Sequence, residues 1–138
     1  MSESKTAENI CSDFESEVAE GKKLGRTIGF PTANQYFPPN FDLPPKGIYV
    51  SRVKIDGKSY PAVSNVGTRP TVDGEGINCE SHIIGYSGQL YGKRISTTLI
   101  RFLRAEKKFE SVDALKEQIG RDVESALEFF ACNPDTLL

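Results

Sequence analysis

A chain of 138 residues has room for one domain with a real core, and two independent cores are not expected at that length. Its net charge of −2 and pI near 5.5 exclude the global positive field that draws nucleic acid or an anionic membrane, so any basic site must be local. Cys11, Cys79 and Cys132 lack C-x-x-C spacing, which argues against a disulfide framework or zinc cluster and for a reducing cytoplasm, and no apolar run nears the roughly 18 residues of a spanning helix or forms a signal peptide.

Residues 1–13 are polar and aperiodic and read as a disordered or expression-derived arm; from Phe14 to Val18 the pattern is weakly strand-like. Gly21, Gly25 and Gly29 then recur at four-residue intervals among Lys22, Lys23 and Arg26, the signature of a flexible basic loop whose amides and cations can face phosphate. It is not a Walker A loop: GKKLGRT has three residues between its glycines and an arginine where the lysine belongs. The stretch GRTIGFPTAN follows. In an extended backbone its Thr32 and Asn34 share a face and offer two hard, neutral oxygens to one point, a donor set suited to Mg2+ completed by water and nucleotide phosphates.

FPPNFDLPPKG cannot supply continuous ladder donors and reads as a long connection. GIYVSRVKIDGKSYPAVSNVG reads as two antiparallel strands turning at Asp56-Gly57, and residues 66–77, with three glycines and a proline, as an exposed mobile loop. Strand character resumes at 79–84, turns through GYSGQLYGK and continues in RISTTLIRFLR. In CESHII, Glu80 and His82 fall on one strand face, with Cys79, Ser81 and Ile83 on the other. Ser111 is a good helix N-cap, and Val112, Leu115, Ile119, Val123, Leu127 and Phe130 recur on one helical face until Asn133-Pro134 ends it, leaving 133–138 as a tail. The pattern predicts a small closed antiparallel barrel with a helix packed against it.

The blocks GRTIGFPTAN, LPPKGIYV, NVGTRPT, CESHII, LYGK, LRAEKKF and SVDALKEQIGRD, in this order over about residues 14–128, make the sequence resemble the riboflavin kinase domain. That domain occurs alone in eukaryotes and as the C-terminal half of bacterial bifunctional riboflavin kinase/FMN adenylyltransferases. The resemblance implies an all-β fold over residues 14–132, a six-stranded antiparallel Greek-key barrel with a C-terminal helix. It also implies transfer of the ATP γ-phosphoryl group to the ribityl 5′-hydroxyl of riboflavin, giving FMN and ADP. Carried over by position, Glu80 is the catalytic base and Thr32 and Asn34 are the Mg2+ ligands. Gly21, Lys22, Gly25 and Arg26 form the lid over the nucleotide, Thr32 also binds ATP, and Arg104 and Phe109 flank the flavin.

His82 is read as a supporting imidazole rather than a metal ligand, because one histidine makes no zinc site. The chain departs from the family where Ser16-Glu17-Val18 replaces a frequent G-x-V. No adenylyltransferase half precedes the kinase blocks, so the chain is expected to stop at FMN, with an adenylyltransferase domain or enzyme acting downstream. Two other classes share the barrel. An oligonucleotide-binding module would want a positive groove with aromatic platforms, which an acidic chain does not advertise. A non-catalytic flavin-binding or regulatory domain would keep the pocket, but has no need of Thr32, Asn34 and Glu80 together.

Overall fold

The computed structural model describes residues 12–19, 29–71 and 74–137. Gly21, Lys22, Gly25 and Arg26 of the expected nucleotide lid lie outside the described residues, as do residues 1–11 of the expected arm. Six strands follow in chain order: β1 (Ser12–Ala19), β2 (Ala33–Tyr36), β3 (Gly47–Ile55), β4 (Lys58–Thr71), β5 (Gly74–Ile83) and β6 (Arg94–Arg104), and then helix α1 (Val112–Cys132). They close into a barrel in the order β1-β2-β5-β4-β3-β6, antiparallel at every neighbouring pair. Strands β3, β4 and β5 form a consecutive meander, and β6 returns to lie beside β3, which is the Greek-key arrangement expected from the sequence.

The period-two alternation of side chains decides what fills the barrel and what faces out. One end of the interior holds Val18, Ala33, Val53, Ile55, Ala62, Ile83, Leu90 and Ile95; the other holds Phe14, Tyr49, Val66, Cys79 and Leu99, with Phe37 and Phe41 of the proline-rich connection packed against them. Phe37 and Phe41 stack at 5.4 Å, and Phe37 also lies 4.5 Å from Phe14. Between the two apolar ends runs a polar belt whose members satisfy one another. The hydroxyls of Ser51, Ser64 and Ser81 form a chain with 2.6 Å links, and Gln35 reaches across to Thr97, Ser16 and Ile95. A buried hydroxyl or amide without a partner would cost about 1–3 kcal/mol, which is why these groups come as a connected set.

Cys79 sits at this belt, 3.7 Å from the Ser81 hydroxyl, and burial pushes its thiol up to about 11 against weaker opposing hydrogen bonds from Ser81 and Ser64. The reactive thiolate is therefore scarce at neutral pH. Iodoacetamide at pH 8 is expected to label exposed Cys132 in the folded protein and to leave Cys79 unmodified until the chain is denatured. Peptide mass spectrometry reads this directly, and native labelling of Cys79 would show that the barrel opens.

Asp56 and Gly57 both take positive φ, 51° and 83°, and form the expected two-residue turn between β3 and β4. Residues 66–71 and 74–77, expected within a mobile loop, are strand instead. Val66 pairs with Cys79, Gly67 with Asn78 and Thr68 with Ile77, so the hairpin runs to Thr71↔Gly74. Glycine and proline signal turns locally, but here a ladder continuous with a buried one outweighs them: Val66 and Cys79 are both fully buried.

Helix α1 starts where expected, with the Ser111 hydroxyl accepting from the Ala114 amide at 3.1 Å. Its buried side differs from the expected stripe. Phe130 of that stripe is buried, but Val112 is 53% and Leu127 44% exposed, and Asp122, Ala126 and Phe129 are buried in addition. The helix covers Ile48, Val50, Val63 and Ile100 on the outside of β3, β4 and β6 through its C-terminal half, so the first turn leaves the wall. Asp122 enters the contact because Arg104 of β6 meets it with two hydrogen bonds, Nε at 3.1 Å and Nη2 at 2.7 Å. Pro134–Leu137 form a 3-10 turn that returns to the barrel, where Arg52 Nη1 donates to the Thr136 carbonyl at 2.6 Å.

Candidate active site

Three outward-facing positions on β2, β5 and β4 line up across the barrel wall. Asn34 pairs with Glu80, and Glu80 pairs with Asn65, so the three share one transverse row and one face. Cys79, Ser81 and Ile83 alternate with Glu80 and point inward, as the sequence parity required. Interior packing of odd positions on β5 thus fixes the outward aim of Glu80 and His82.

Asn34 is 3% and Asn78 2% exposed, and Asn78 Nδ2 donates to Asn34 Oδ1. This contact orients the Asn34 carboxamide. Thr32 stands exposed, two residues before Asn34. Its position is set by His82, whose Nδ1 lies 2.8 Å from the Pro31 carbonyl and whose ring meets Phe30 edge-on at 5.3 Å. His82 therefore holds the Phe30-Pro31 entry to β2, the supporting part expected of it. Thr32, Asn34 and Glu80 provide only oxygen donors, which suits a hard divalent cation. Among the described residues no three His, Cys, Asp or Glu form a metal cage, so such a cation would draw its remaining ligands from water or phosphate.

The row continues beyond Asn65 to Ile48 and then Arg104. Arg104 is held by Asp122, and its guanidinium also lies 5.9 Å from the Phe109 ring centroid, with Lys107 Nζ at 5.2 Å from the same ring. The two expected flavin-side residues thus meet each other where β6 ends and the following connection begins, with the Arg104 charge engaged by the helix. Gln118 completes that anchor by donating to Asp122 Oδ1 at 3.0 Å. From the same connection Glu106 leans over Gly67: a β-carbon built on Gly67 would lie 2.5 Å from Glu106 Oε2 and 3.5 Å from Asn65 Oδ1.

Asn65 and Asn78 were not among the candidates drawn from the sequence. Asn65 stands in the NVGTRPT block, but only the β4–β5 register shows that it neighbours Glu80.

Fold and site define a small Greek-key barrel protein that carries an amide-and-carboxylate row on the outside of its wall. The flavokinase (riboflavin kinase) family profile matches residues 10–130. The chain belongs to the riboflavin kinase family. It is 45% identical over 115 residues to the bifunctional riboflavin kinase/FMN adenylyltransferase of Escherichia coli K12, covering 82% of this chain and 36% of that protein. The chain thus spans about a third of the length of the curated relatives it matches. Among solved structures, a Streptococcus pneumoniae protein described as a macrolide-efflux protein superposes with a TM-score of 0.77 at 29% identity, over 91% of this chain and 46% of that one. The riboflavin kinase of Trypanosoma brucei superposes at 0.60 with 19% identity, over 86% of this chain and 79% of that one, which bears on the fold alone. No helix among the described residues is long and apolar enough to cross a membrane.

Proposed function

We propose that this chain is a riboflavin kinase that transfers the γ-phosphoryl group of ATP to the 5′-hydroxyl of riboflavin. The observation that carries this reading is the Asn34↔Glu80 pair on the outer wall, with Thr32 two residues away, in a chain whose family match spans residues 10–130. Phosphoryl transfer has a loose transition state, so the protein's work is alignment, charge neutralisation and acceptance of one proton. Glu80 orients the ribityl 5′-hydroxyl and takes its proton as the oxygen–phosphorus bond forms. The bond between the γ-phosphorus and its bridging oxygen breaks, and ADP leaves with that electron pair. Thr32 and Asn34 hold the divalent cation, which we assign as Mg2+; when bound it neutralises charge on the nucleotide phosphates. Asn78 keeps the Asn34 oxygen in place, and His82 keeps Thr32 in place. Gly21, Lys22, Gly25 and Arg26 complete the nucleotide side, and Arg104 and Phe109 border the flavin.

Incubation with riboflavin, ATP and Mg2+ is expected to yield FMN and ADP in equal amounts, without FAD from this chain alone. Flavin binding without FMN formation would instead favour a non-catalytic flavin-binding role. Thr32→Ala should lower turnover and raise the KM for MgATP while leaving riboflavin binding without nucleotide nearly unchanged. Unaltered kinetics in that variant would remove Thr32 from the metal and nucleotide site.

A further inference from the structure

Every aromatic ring among the described residues but two lies against another ring or a cation. The two are Tyr91, on the turn between β5 and β6, and Tyr36, the last residue of β2. Tyr36 is 38% exposed and faces outward, because Ala33 and Gln35 on the same strand fill the interior. It pairs with Asn78 of β5, and Asn78 pairs with Gly67 of β4, so these three form the row next to Asn34, Glu80 and Asn65 on the same wall. Asn78 is turned to Asn34. Gly67 adds no side chain, and the nearest atoms above its backbone belong to the flexible end of Glu106. The row is thus bounded on one side by an exposed ring and on the other by the connection that carries Glu106 and Phe109.

The direction of the reaction along the wall decides what this row meets. In phosphoryl transfer the attacking and leaving oxygens lie roughly in line, so the acceptor molecule extends away from the phosphates. Thr32 stands two residues before Asn34 and Tyr36 two residues after it, which puts the phosphate side and Tyr36 on opposite sides of the row that holds Glu80. Two residues along a strand rise about 7 Å, and an extended ribityl chain separates its terminal hydroxyl from the isoalloxazine ring by the same length. A hydroxyl held at Glu80 therefore brings the ring to the Tyr36 row. Resting on the riboflavin kinase reading above, we infer that Tyr36 is a flavin-binding residue whose ring stacks on the isoalloxazine. A flat, largely apolar heterocycle takes an exposed aromatic face as its platform, and Phe109 borders it from across Gly67. One row of the wall then holds the reacting hydroxyl and the next holds the ring.

The test compares riboflavin with lumiflavin, which keeps the ring but has a methyl group where the ribityl chain stands. Wild type, Tyr36→Ala and Tyr36→Phe are measured for binding of each by titration calorimetry, for emission of the bound flavin, for KM of riboflavin and MgATP, and for melting temperature. Tyr36→Ala should weaken both flavins by at least about fivefold, the lower end of what one aromatic platform contributes to a stacked ring, and raise the KM for riboflavin to match. The KM for MgATP should not move. The melting temperature should move little, because the side chain is exposed. Tyr36→Phe keeps the platform and should bind both flavins within about threefold of wild type. Its bound flavin should be brighter, because a stacked phenol quenches an excited flavin by donating an electron and a phenyl ring does not.

Unchanged flavin binding in Tyr36→Ala would overturn the inference. Weaker riboflavin with lumiflavin unaffected would make Tyr36 a contact to the ribityl chain, and a change confined to MgATP would make it a nucleotide-side residue; either result overturns the inference equally. If Tyr36→Ala melts well below wild type, Tyr36→Phe decides the matter: bound-flavin emission equal to that of wild type would overturn the stacked geometry. If wild type forms no FMN, the kinase reading fails while the riboflavin and lumiflavin comparison still decides the role of Tyr36. A wild type that binds neither flavin overturns both.

Discussion

Glu80→Gln is expected to bind riboflavin and MgATP much as the parent does and to turn them over about 10²–10⁴ times more slowly. The exchange keeps the length of the side chain and one acceptor oxygen. What it removes is the charge and the capacity to take the proton of the 5′-hydroxyl. At about 1.36 kcal/mol per decade the loss corresponds to about 2.7–5.4 kcal/mol of barrier, and it should fall on kcat and kcat/KM together, because the lost interaction belongs to the transition state. Stability should change little, since Glu80 projects from the outer face while Cys79 and Ser81 beside it do the packing. His82→Gln should cost far less, because the His82 imidazole touches Pro31 and Phe30 rather than the reacting groups. Rapid-quench measurement of FMN formation separates chemistry from product release. A glutamine variant within about threefold of the parent under chemistry-limited conditions would remove Glu80 as the base.

The largest loss of stability from a single polar side chain is expected at Gln35. This residue is fully buried, and it ties the four-residue strand β2 to β1 and β6 through the barrel interior. Its Nε2 donates toward the Ser16 carbonyl, the Ser16 hydroxyl and the Ile95 carbonyl, each at 3.1 Å, and its Oε1 accepts from Thr97 Oγ1 at 2.5 Å. Gln35→Ala strips these partners and opens a cavity in the middle of the wall. Unsatisfied buried groups and the cavity together should cost about 3–5 kcal/mol, a fall in melting temperature of about 10–20 °C for a domain of this size. Because Asn34 is the next residue on the same short strand, the KM for MgATP should rise at temperatures where the variant is still folded. Gln35→Leu restores volume without the hydrogen bonds and separates the two contributions. A shift of less than about 3 °C in the alanine variant would show that β2 is held by its ladder alone.

What could be read from the sequence was whatever rests on local pattern. The outward aim of Glu80 and His82 followed from alternation within CESHII, the β3–β4 turn from Asp56-Gly57, the span of β6 from its β-branched run, and the start of α1 from Ser111. What escaped rests on partners far away in the chain. Residues 66–71 and 74–77 look like a loop until Val66 meets Cys79 and Gly67 meets Asn78. Asp122 looks like a solvent-facing helical carboxylate until Arg104 is brought against it. Asn65 carries no local signal at all, because its place beside Glu80 is a property of register. Thr32, Asn34 and Glu80 could be singled out because side-chain chemistry and local spacing coincide there. Arg104 and Phe109 could not be told apart from helix anchors by the same means, and the structure shows Arg104 engaged by Asp122 of the helix.

The interleaving of packing and chemistry along β5 gives this strand something like a reading frame of two. Residues 79, 81 and 83 are spoken to the core, and residues 78, 80 and 82 to the outer wall. A substitution alters one word in one of these messages. A single-residue insertion or deletion that re-paired the strand would exchange them, sending Glu80 into the apolar interior and Cys79 and Ser81 out toward the outer face. Fold and activity would be lost in the same event, whereas a change of two residues at the same place restores the frame. The length of β5 is therefore under tighter constraint than its composition, and the constraint comes from the wall having two sides.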